Sequence, residues 1–379
     1  MRKFKAVIFG TGFMGRVHAE ALRRLGNVEV LGVAARSTEK AKRFAASFGI
    51  EHSTGNYQEL LADPSVNVVH VCTPNQLHFP MAMAALEAGK HVICEKPLAT
   101  TVTEAEQLVA LARKAALANC TFFNVRAYPQ VRNMRSIIQA GELGEVLAIQ
   151  GTYSQDWLLY DTDWNWRVEA GASRTFADIG SHWCDLAEFV TGLRIQALCA
   201  DLQTFHSTRK KADAPVETFA GRTQQPGGYR EAPVVTEDFG TMIFHLGDRA
   251  RGAMTVSQVS AGRKNRLALE IYGTKAGLAW DAERQDELWI GHRNSPNQVL
   301  IKDPSLLHEG ARRFADLPGG HSEGYDDTFK QTFRSFYCAV ANPASPVDHP
   351  TFEDGLRQLK VLDTVLESSK KRAWAHPKP

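Results

Sequence analysis

Cysteine is scarce in this 379-residue chain, and no Cys-x-x-Cys pair occurs; the six that are present are Cys72, Cys94, Cys120, Cys184, Cys199 and Cys338, in mostly apolar or aromatic surroundings. A chain this long can bury a core without covalent staples, so a disulfide scaffold is not expected and a reducing compartment is. Neither sign of charge predominates: 44 Lys and Arg stand against 42 Asp and Glu, a formal charge of +2. That balance leaves no electrostatic footprint for a nucleic acid and no simple attraction to an acidic membrane. There is no run of 18 apolar residues, and Met-Arg-Lys-Phe-Lys leads within three residues into a strand-like stretch. Neither a membrane span nor a signal peptide is therefore expected, and the expected location is the cytoplasm. Internal repeats and low-complexity segments are also lacking.

What is present is ordinary globular composition, with 44% hydrophobic and 23% charged residues; the length suggests two or three domains. Up to about residue 125, strand-like and helix-like stretches alternate. Phe4 to Phe9 is an apolar run, Met14 to Leu25 has helical spacing, Val28 to Ala34 reads as a strand, and Glu39 to Phe48 reads as a helix stopped by Gly49. Val66 to Cys72 has the profile of a strand covered on both faces. A helix over Gln76 to Ala88, a strand over His91 to Cys94, a helix over Glu104 to Ala118 and a strand over Cys120 to Val125 follow. This alternation predicts a doubly wound parallel sheet, an α/β fold of the Rossmann type, over residues 1–125.

The pattern changes after Arg126. A helix from about Val131 to Ala140 leads to a strand over Val146 to Ser154. A meander then runs through Phe239 to Leu246, Ala250 to Ser260 and Arg266 to Tyr272, with shorter pieces near Leu278, Leu288 and Val299. Strands joined by Gly-containing turns favour an antiparallel sheet. Residues 206–234, polar with Gly and Pro, read as a loop or arm. A second domain is thus expected over 126–379, with a last helix over about 355–369 folding back on the first.

Gly10-Thr-Gly12-Phe13-Met14-Gly15 follows the first strand and opens the first helix. Gly10 permits the tight turn, Gly12 lets backbone approach a pyrophosphate, and Gly15 lets the helix pack on the strand. Phosphates would sit on the N–H groups at the positive end of that helix. The context of strand, helix and continuing repeat makes this a dinucleotide signature rather than a bare Gly-rich turn. An acidic residue at the end of the second strand would hold the ribose of NAD. The segment here is Val33-Ala-Ala-Arg36-Ser37-Thr38, with no acid. Arg36 suits a 2′-phosphate and Ser37 or Thr38 can donate to it, so NADP is favoured with NAD left open; Ser37 or Thr38 also reads as the cap of the next helix.

Ligands in such a sheet lie beyond the carboxyl ends of the strands. Thr73-Pro74-Asn75 and Glu95-Lys96-Pro97 should reach that crevice, with His78 just beyond the first of them. A lysine held extended before Pro97 can stabilise charge developing on a substrate oxygen. Farther along, Asp178-Ile-Gly180-Ser-His182-Trp-Cys-Asp185 opens an apolar helical stripe. On a helix Asp178 and His182 share a face, and a His beside a carboxylate suits proton transfer near neutral pH. Asp178 as a helix cap and His182 as a core residue are the structural alternatives. With no further His or Cys at ligand spacing, a metal is not expected. Between Tyr153 and Trp183 lie Trp157, Tyr160, Trp164 and Trp166, interleaved with Asp156, Asp161, Asp163, Asn165 and Arg167. Aromatic faces among hydrogen-bonding groups suit a carbohydrate, and equally suit packing over a sheet. Tyr325, within Gly-His-Ser-Glu-Gly-Tyr-Asp-Asp, is a further pocket candidate.

Taken together, GTGFMGRVH over residues 10–18, Thr73-Pro74-Asn75, Ala88-Gly-Lys-His91 leading to Glu95-Lys96-Pro97, and Asp178-x-Gly-x-His182-x-x-Asp185 resemble the glucose-fructose oxidoreductase / inositol dehydrogenase / MocA family over nearly the whole chain. The resemblance implies a C-terminal domain built on a large, mostly antiparallel sheet used for oligomer contacts, hence a homodimer or homotetramer. It implies Lys96, Asp178 and His182 as the catalytic trio, with Asn124, Tyr153, Trp166 and Arg167 in the pocket region. The dinucleotide is expected to touch Gly10, Gly12, Phe13, Met14, Gly15, Arg36 and Ser37, then Thr73, Pro74, Asn75 and His78, then Glu95, Lys96 and Asn124. The chain departs from the family at Gly171-Ala-Ser-Arg174-Thr-Phe176, where a glycine run is usual, and Arg174 is expected to enter or line the pocket. Gln155-Asp156-Trp157 resembles members acting on anhydrosugars and modified glycosides.

The expected activity is hydride transfer between the nicotinamide and a secondary hydroxyl or ketone of a sugar, cyclitol or glycoside. The lysine and the imidazole, from separate halves of the chain, would meet at the nicotinamide ring. Two alternatives stay open: glycoside processing through transient oxidation by a tightly held dinucleotide, and a non-enzymatic NADP sensor.

Overall fold

The computed structural model describes residues 3–169, 171, 173–213 and 227–378. The chain forms two compact units, Met1–Ala127 with Gly324–Leu359, and Tyr128–Glu323 with Lys360–Pro379. The first unit opens β1 (Phe4–Phe9), α1 (Phe13–Leu25), β2 (Val28–Ala34), α2 (Thr38–Phe48), β3 (His52–Thr54) and α3 (Tyr57–Leu61). It continues β4 (Val68–Val71), α4 (His78–Glu87), β5 (His91–Cys94), α5 (Val102–Lys114) and β6 (Asn119–Thr121). All pairings are parallel, in the order β3-β2-β1-β4-β5-β6. This is the doubly wound order, and strand order reverses between β1 and β4. Helices cover both faces, so β1 buries Ala6, Val7, Ile8 and Phe9 completely, and β4 is buried throughout. Local chemistry sets the helix ends: the Ser37 hydroxyl accepts from Lys40 N–H at the start of α2, Thr101 and Glu104 make a reciprocal capping box on α5, and Gly26 ends α1 in the left-handed region.

The second unit contains α6 (Pro129–Gln139), β7 (Val146–Ser154), α7 (Ser181–Thr191), β8 (Ile195–Gln203), β9 (Thr208–Ala212) and β10 (Tyr229–Pro233). Then follow β11 (Phe239–Leu246), β12 (Ala250–Ser257), β13 (Arg266–Gly273), β14 (Gly277–Asp281), β15 (Glu287–Gly291), β16 (Gln298–Ile301) and the short α8 (Glu309–Arg312). Eight strands form one sheet in the order β16-β15-β14-β13-β7-β12-β11-β8. Only the β7–β12 pairing is parallel, so the sheet is mixed and mostly antiparallel. Helix α7 lies against it through Trp183, which is fully buried and donates its indole N–H to the Ala268 carbonyl at 3.0 Å. Glycine at 151 makes that contact possible, because a Cβ there would collide with both the indole and the Ala268 carbonyl.

Within residues 206–234, expected to be a loop or arm, lies a two-stranded antiparallel ribbon, with Thr208 opposite Pro233 and Ala212 opposite Tyr229. Residues 214–226 lie outside the described residues. The ribbon is polar because its inward residue is Arg209, fully buried and bonded to the carbonyls of Leu158, Tyr160 and Asp163 and to Asp238. A strand need not be apolar when its buried side chain finds this many acceptors.

Two helices close the chain. α9 (Tyr325–Ala341), absent from the sequence reading, belongs to the first unit. It buries Phe329, Phe333, Phe336 and Tyr337, an i, i+4, i+7, i+8 stripe, against Val17, Leu22, Ile93 and Phe122. Each such ring contributes about 2–3 kcal/mol by leaving water. α10 (Phe352–Lys371) begins in the first unit and ends in the second. Among the described residues no helix is long and apolar enough to cross a membrane.

Candidate active site

In the first unit, the turn after β1 is shaped by three glycines with three different jobs. Gly10 takes φ +109°, and a Cβ there would strike the Cys72 carbonyl. A Cβ on Gly15 would strike the Gly10 carbonyl, so this glycine sets how closely α1 approaches the turn. Gly12 is the contrast: nothing lies within 4 Å of where its Cβ would point. It is the N-cap of α1, and no side chain caps that helix. Open space above a glycine at an uncapped helix N-terminus fits a pyrophosphate, which would take the first-turn N–H groups as donors. Phe13 beside it is exposed and Met14 half-buried. At the end of β2, Arg36 is exposed, while Ser37 is engaged as the cap of α2.

The turns after β4 and β5 are tied together by a buried histidine. His78 places Nε2 2.8 Å from the Thr73 carbonyl and Nδ1 2.6 Å from the Pro97 carbonyl. The ring is wedged between the two turns and, when neutral, donates its one N–H to one of these carbonyls while packing against the other. Glu95 is likewise spent inward, its Oε1 3.0 Å from His18 Nε2. Between these two anchors stands Lys96, half-buried, joined to Pro97 by a cis peptide. Asn124 is buried and donates to the Thr328 hydroxyl at 2.8 Å, bracing the segment after β6 against α9. Thr328 in turn donates to the carbonyl of Tyr325, whose ring is partly exposed and packs on Phe329. Of the residues assigned to the dinucleotide from sequence, His78, Glu95 and Asn124 have supporting positions behind the turns.

His18 and its neighbour His70 are both fully buried. Burial pushes His18 down to about 3, and burial and then the His18 charge hold His70 well below its ordinary value. Unfolded, both would titrate near 6.5, so between that pH and the folded values the unfolded chain binds more protons. Stability is therefore full above about pH 6.5 and falls as the pH drops below it, by about 1.4 kcal/mol per unit for each ring. Unfolding free energies from urea titrations at pH 7.5 and pH 5 should differ by about 2 kcal/mol from His18, with His70 adding in the same sense. Carboxylates with depressed values, such as Asp354 beside Arg126, act only below about pH 3.8, whereas buried His78, also held low, adds to the loss inside that window. Equal stability at the two pH values would show that these rings are not neutral in the core.

The second unit carries candidate residues of its own. Asp178 lies in a single π-helical turn, Phe176–Gly180, that runs directly into α7, where His182 is the second residue. The turn is π rather than α, with Asp178 about one turn before His182, and such turns often mark functional positions. Asp178 does not cap α7, whose N-cap is Gly180. Its carboxylate is gripped from two sides, Oδ1 3.4 Å from Arg167 Nε and Oδ2 3.0 Å from the Gln258 amide. Arg167 lies 4.5 Å over the ring of Trp166. Tyr153, at the end of β7, is edge-on to His182 with ring centroids 6.3 Å apart, and its hydroxyl donates to Asn265 at 2.9 Å. Burial, then the charge of Asp178, pushes this phenol well up, so it stays a donor. Asn265 also receives the Gln155 amide, and Gln155 receives the Trp157 indole, both at 2.8 Å.

The aromatic run thus divides. Trp183 is core, Trp157 and Trp164 pack around Leu158, Val168 and Val234, and Tyr160 is exposed. Arg174, expected in the pocket, is fully buried and bonded to the Glu237 carbonyl and the Asp238 carboxylate. The Glu237 carboxylate accepts from Ser173 Oγ and from the N–H groups of Arg174 and Phe176, capping the π turn. Burial alone would raise Asp238, but the His206 N–H and the guanidinium groups of Arg174 and Arg209 outweigh it and hold the carboxyl below its ordinary value. These buried ion pairs replace the glycine run as the means of shaping the loop. Gln258, Asn265 and Glu237 had no local signal in sequence, since each reaches the site from a strand end at least 59 residues from Asp178, the nearest being Glu237. Among the described residues no group of three His, Cys, Asp or Glu could hold a metal ion.

Known proteins resemble this chain in sequence and in fold. Residues 4–122 match the family model described as oxidoreductase family, NAD-binding Rossmann fold, and residues 131–279 match the GFO/IDH/MocA C-terminal domain. Levoglucosan dehydrogenase of Pseudarthrobacter phenanthrenivorans is 29% identical, over 99% of this chain and 98% of its own. The structure of a levoglucosan dehydrogenase in complex with NADH and L-sorbose superposes with a TM-score of 0.90 over 100% of both chains, at 28% identity. An oxidoreductase domain protein from Kribbella flavida, 30% identical over 100% of both chains, also gives 0.90.

Proposed function

The chain belongs to the GFO/IDH/MocA family of NAD-binding oxidoreductases, and from that premise we propose that it oxidises a secondary hydroxyl of a sugar, cyclitol or anhydrosugar, or reduces the matching ketone. The bound nicotinamide supplies the hydride acceptor. Lys96 donates to the reacting oxygen and stabilises charge developing there, and His182 takes the hydroxyl proton. Asp178 fixes the turn ahead of His182, with Arg167 and Gln258 holding its two oxygens. Tyr153, Trp166 and Arg167 bind the substrate. The observation that carries this reading is the doubly gripped Asp178 carboxylate at the entry to α7, a rigid platform next to an imidazole. Relatives that carry a levoglucosan dehydrogenase name, together with Gln155-Asp156-Trp157, point to anhydrosugars as the first substrates to try.

A panel of sugars, inositols and anhydrosugars, each with both dinucleotides and read by absorbance of the reduced nicotinamide, tests this function. Turnover of none of them would contradict it. The same panel tests the cofactor. Arg36, exposed at the end of β2 in a segment, Val33 to Thr38, that holds no acid, supports NADP. Arg36→Leu should lower kcat/KM for NADP about tenfold or more and leave that for NAD within about threefold. Equal losses for the two would remove this arginine from 2′-phosphate recognition.

A further inference from the structure

The first unit contains a row of buried polar side chains that the proposed chemistry does not use directly. Tyr337 on α9 has its hydroxyl 3.0 Å from His70 Nε2 on β4. His70 Nδ1 is 3.0 Å from His18 Nδ1 on α1, and His18 Nε2 is 3.0 Å from Glu95 Oε1 at the end of β5. Phe122 and Phe333 pack on the His18 ring, and Phe333 packs edge-on to His70. Polar atoms in such surroundings are tolerated only when every donor meets an acceptor.

That condition leaves one proton arrangement for an ionised Glu95. A neutral imidazole has one donor nitrogen and one acceptor nitrogen. A carboxylate only accepts, so His18 carries its proton on Nε2 and offers a lone pair at Nδ1. His70 must then carry its proton on Nδ1, and its Nε2 accepts from the Tyr337 hydroxyl. Every O–H and N–H points toward Glu95, and the last bond is charge-assisted. The opposite direction would need a protonated carboxyl donating to His18 and a phenol oxygen accepting from His70. Imidazolium is disfavoured in both rings by burial. The thiols nearest Glu95, Cys72 and Cys94, are pushed up by burial and by the Glu95 charge and stay neutral. The remaining titratable neighbours, His78 and Lys96, flank Glu95 in the two turns already described.

We propose that Tyr337, His70 and His18 form a one-way hydrogen-bond chain that ends on the Glu95 carboxylate, making all three positioning residues for the turn that bears Lys96. Its effect on turnover rests on the role proposed for Lys96; the chain itself does not. The two ends of that turn are then fixed independently, Glu95 by this chain and Pro97 by His78.

Imidazole nitrogen NMR on the whole 15N-histidine-labelled protein reads the arrangement directly. The two rings are assigned through their proton contacts with Phe122 for His18 and Tyr337 for His70. The expected result is neutral His18 protonated on Nε2 and neutral His70 protonated on Nδ1, from about pH 6.5 to about pH 8.5. Tyr337→Phe removes one hydroxyl and keeps the ring. It should shift the nitrogen signals of His70 and also those of His18, which does not bond Tyr337. It should lower kcat about tenfold while the KM for the dinucleotide stays within about twofold. His70 protonated on Nε2 in the unmodified protein, or His18 signals unmoved in Tyr337→Phe, would overturn the chain. An unchanged kcat would overturn the positioning role. The predicted tautomers in a protein whose Lys96→Met variant is fully active would uphold the chain and remove only the chemistry assigned to Lys96.

Discussion

Replacing Lys96 with Met is expected to lower turnover by about a hundredfold to a thousandfold, while dinucleotide affinity stays within about threefold. The substitution removes an ammonium but not its platform. Residue 95 remains held by His18, and the Pro97 carbonyl remains held by His78. What is lost is a charged donor aimed at an oxygen that gains negative charge, and one such donor contributes about 3–4 kcal/mol to a barrier. The thiol- and phenyl-rich core beneath the turn is untouched, so the variant should unfold at the same denaturant concentration as the parent. Steady-state rates with the best sugar of the panel, set beside dinucleotide binding followed by fluorescence, measure both quantities. Turnover like that of the parent would take the lysine out of the reaction.

The second large effect is expected at His182. Asn keeps a similar size and a hydrogen-bonding tip but cannot take a proton near neutral pH. His182→Asn should slow sugar oxidation by about two to four orders of magnitude, the range for losing a positioned general base. Its pH–rate profile should also lose the limb on which activity rises with pH, because that limb reports the base becoming proton-free. Substrate KM should change much less, since Arg167, Trp166 and Tyr153 remain. A profile of unchanged shape would assign the proton to another group. Gln258→Leu, which frees one oxygen of Asp178, is a useful companion and should give a smaller loss in the same direction.

The first unit was legible because a doubly wound sheet writes itself in short covered strands separated by helical stretches. The bounds of β1, β2 and β5 coincide with their apolar runs. Gly10 and Gly15 in the turn after β1 were legible for the same reason, each answering to a backbone demand. Helix α9 went unread although its stripe of Phe329, Phe333, Phe336 and Tyr337 has helical spacing, because Asp326, Asp327, Lys330 and Arg334 break up the apolar run. The ribbon β9–β10 gave no apolar signal at all, since a buried guanidinium takes the place of a hydrophobic residue. The π turn could not be told from an α turn, as both use the same residue types. Arg174 was misplaced for a related reason: a charge next to candidate catalytic residues suggests a pocket, but Asp238 and Glu237, some sixty residues away in the sequence, draw it into the core.

Among the candidate site residues, those whose function depends on their own backbone were the readable ones. Lys96 announces itself through Pro97, and Gly12 through its neighbours. Residues that act through partners from distant strands, such as His78, Gln258 and Asn265, acquire their meaning only once the sheets are assembled.

The direct measurement is the fate of one hydrogen. Perdeuterated 1,6-anhydroglucose, or whichever sugar the panel selects in perdeuterated form, is incubated with the protein and excess oxidised dinucleotide, and the cofactor is examined by mass spectrometry and NMR. One deuterium on the nicotinamide for every sugar oxidised, with reduced cofactor accumulating in step, is the predicted result. Sugar consumed or cleaved with no deuterium retained on released cofactor would contradict it, and would identify the nicotinamide as a transient carrier within a cleavage reaction.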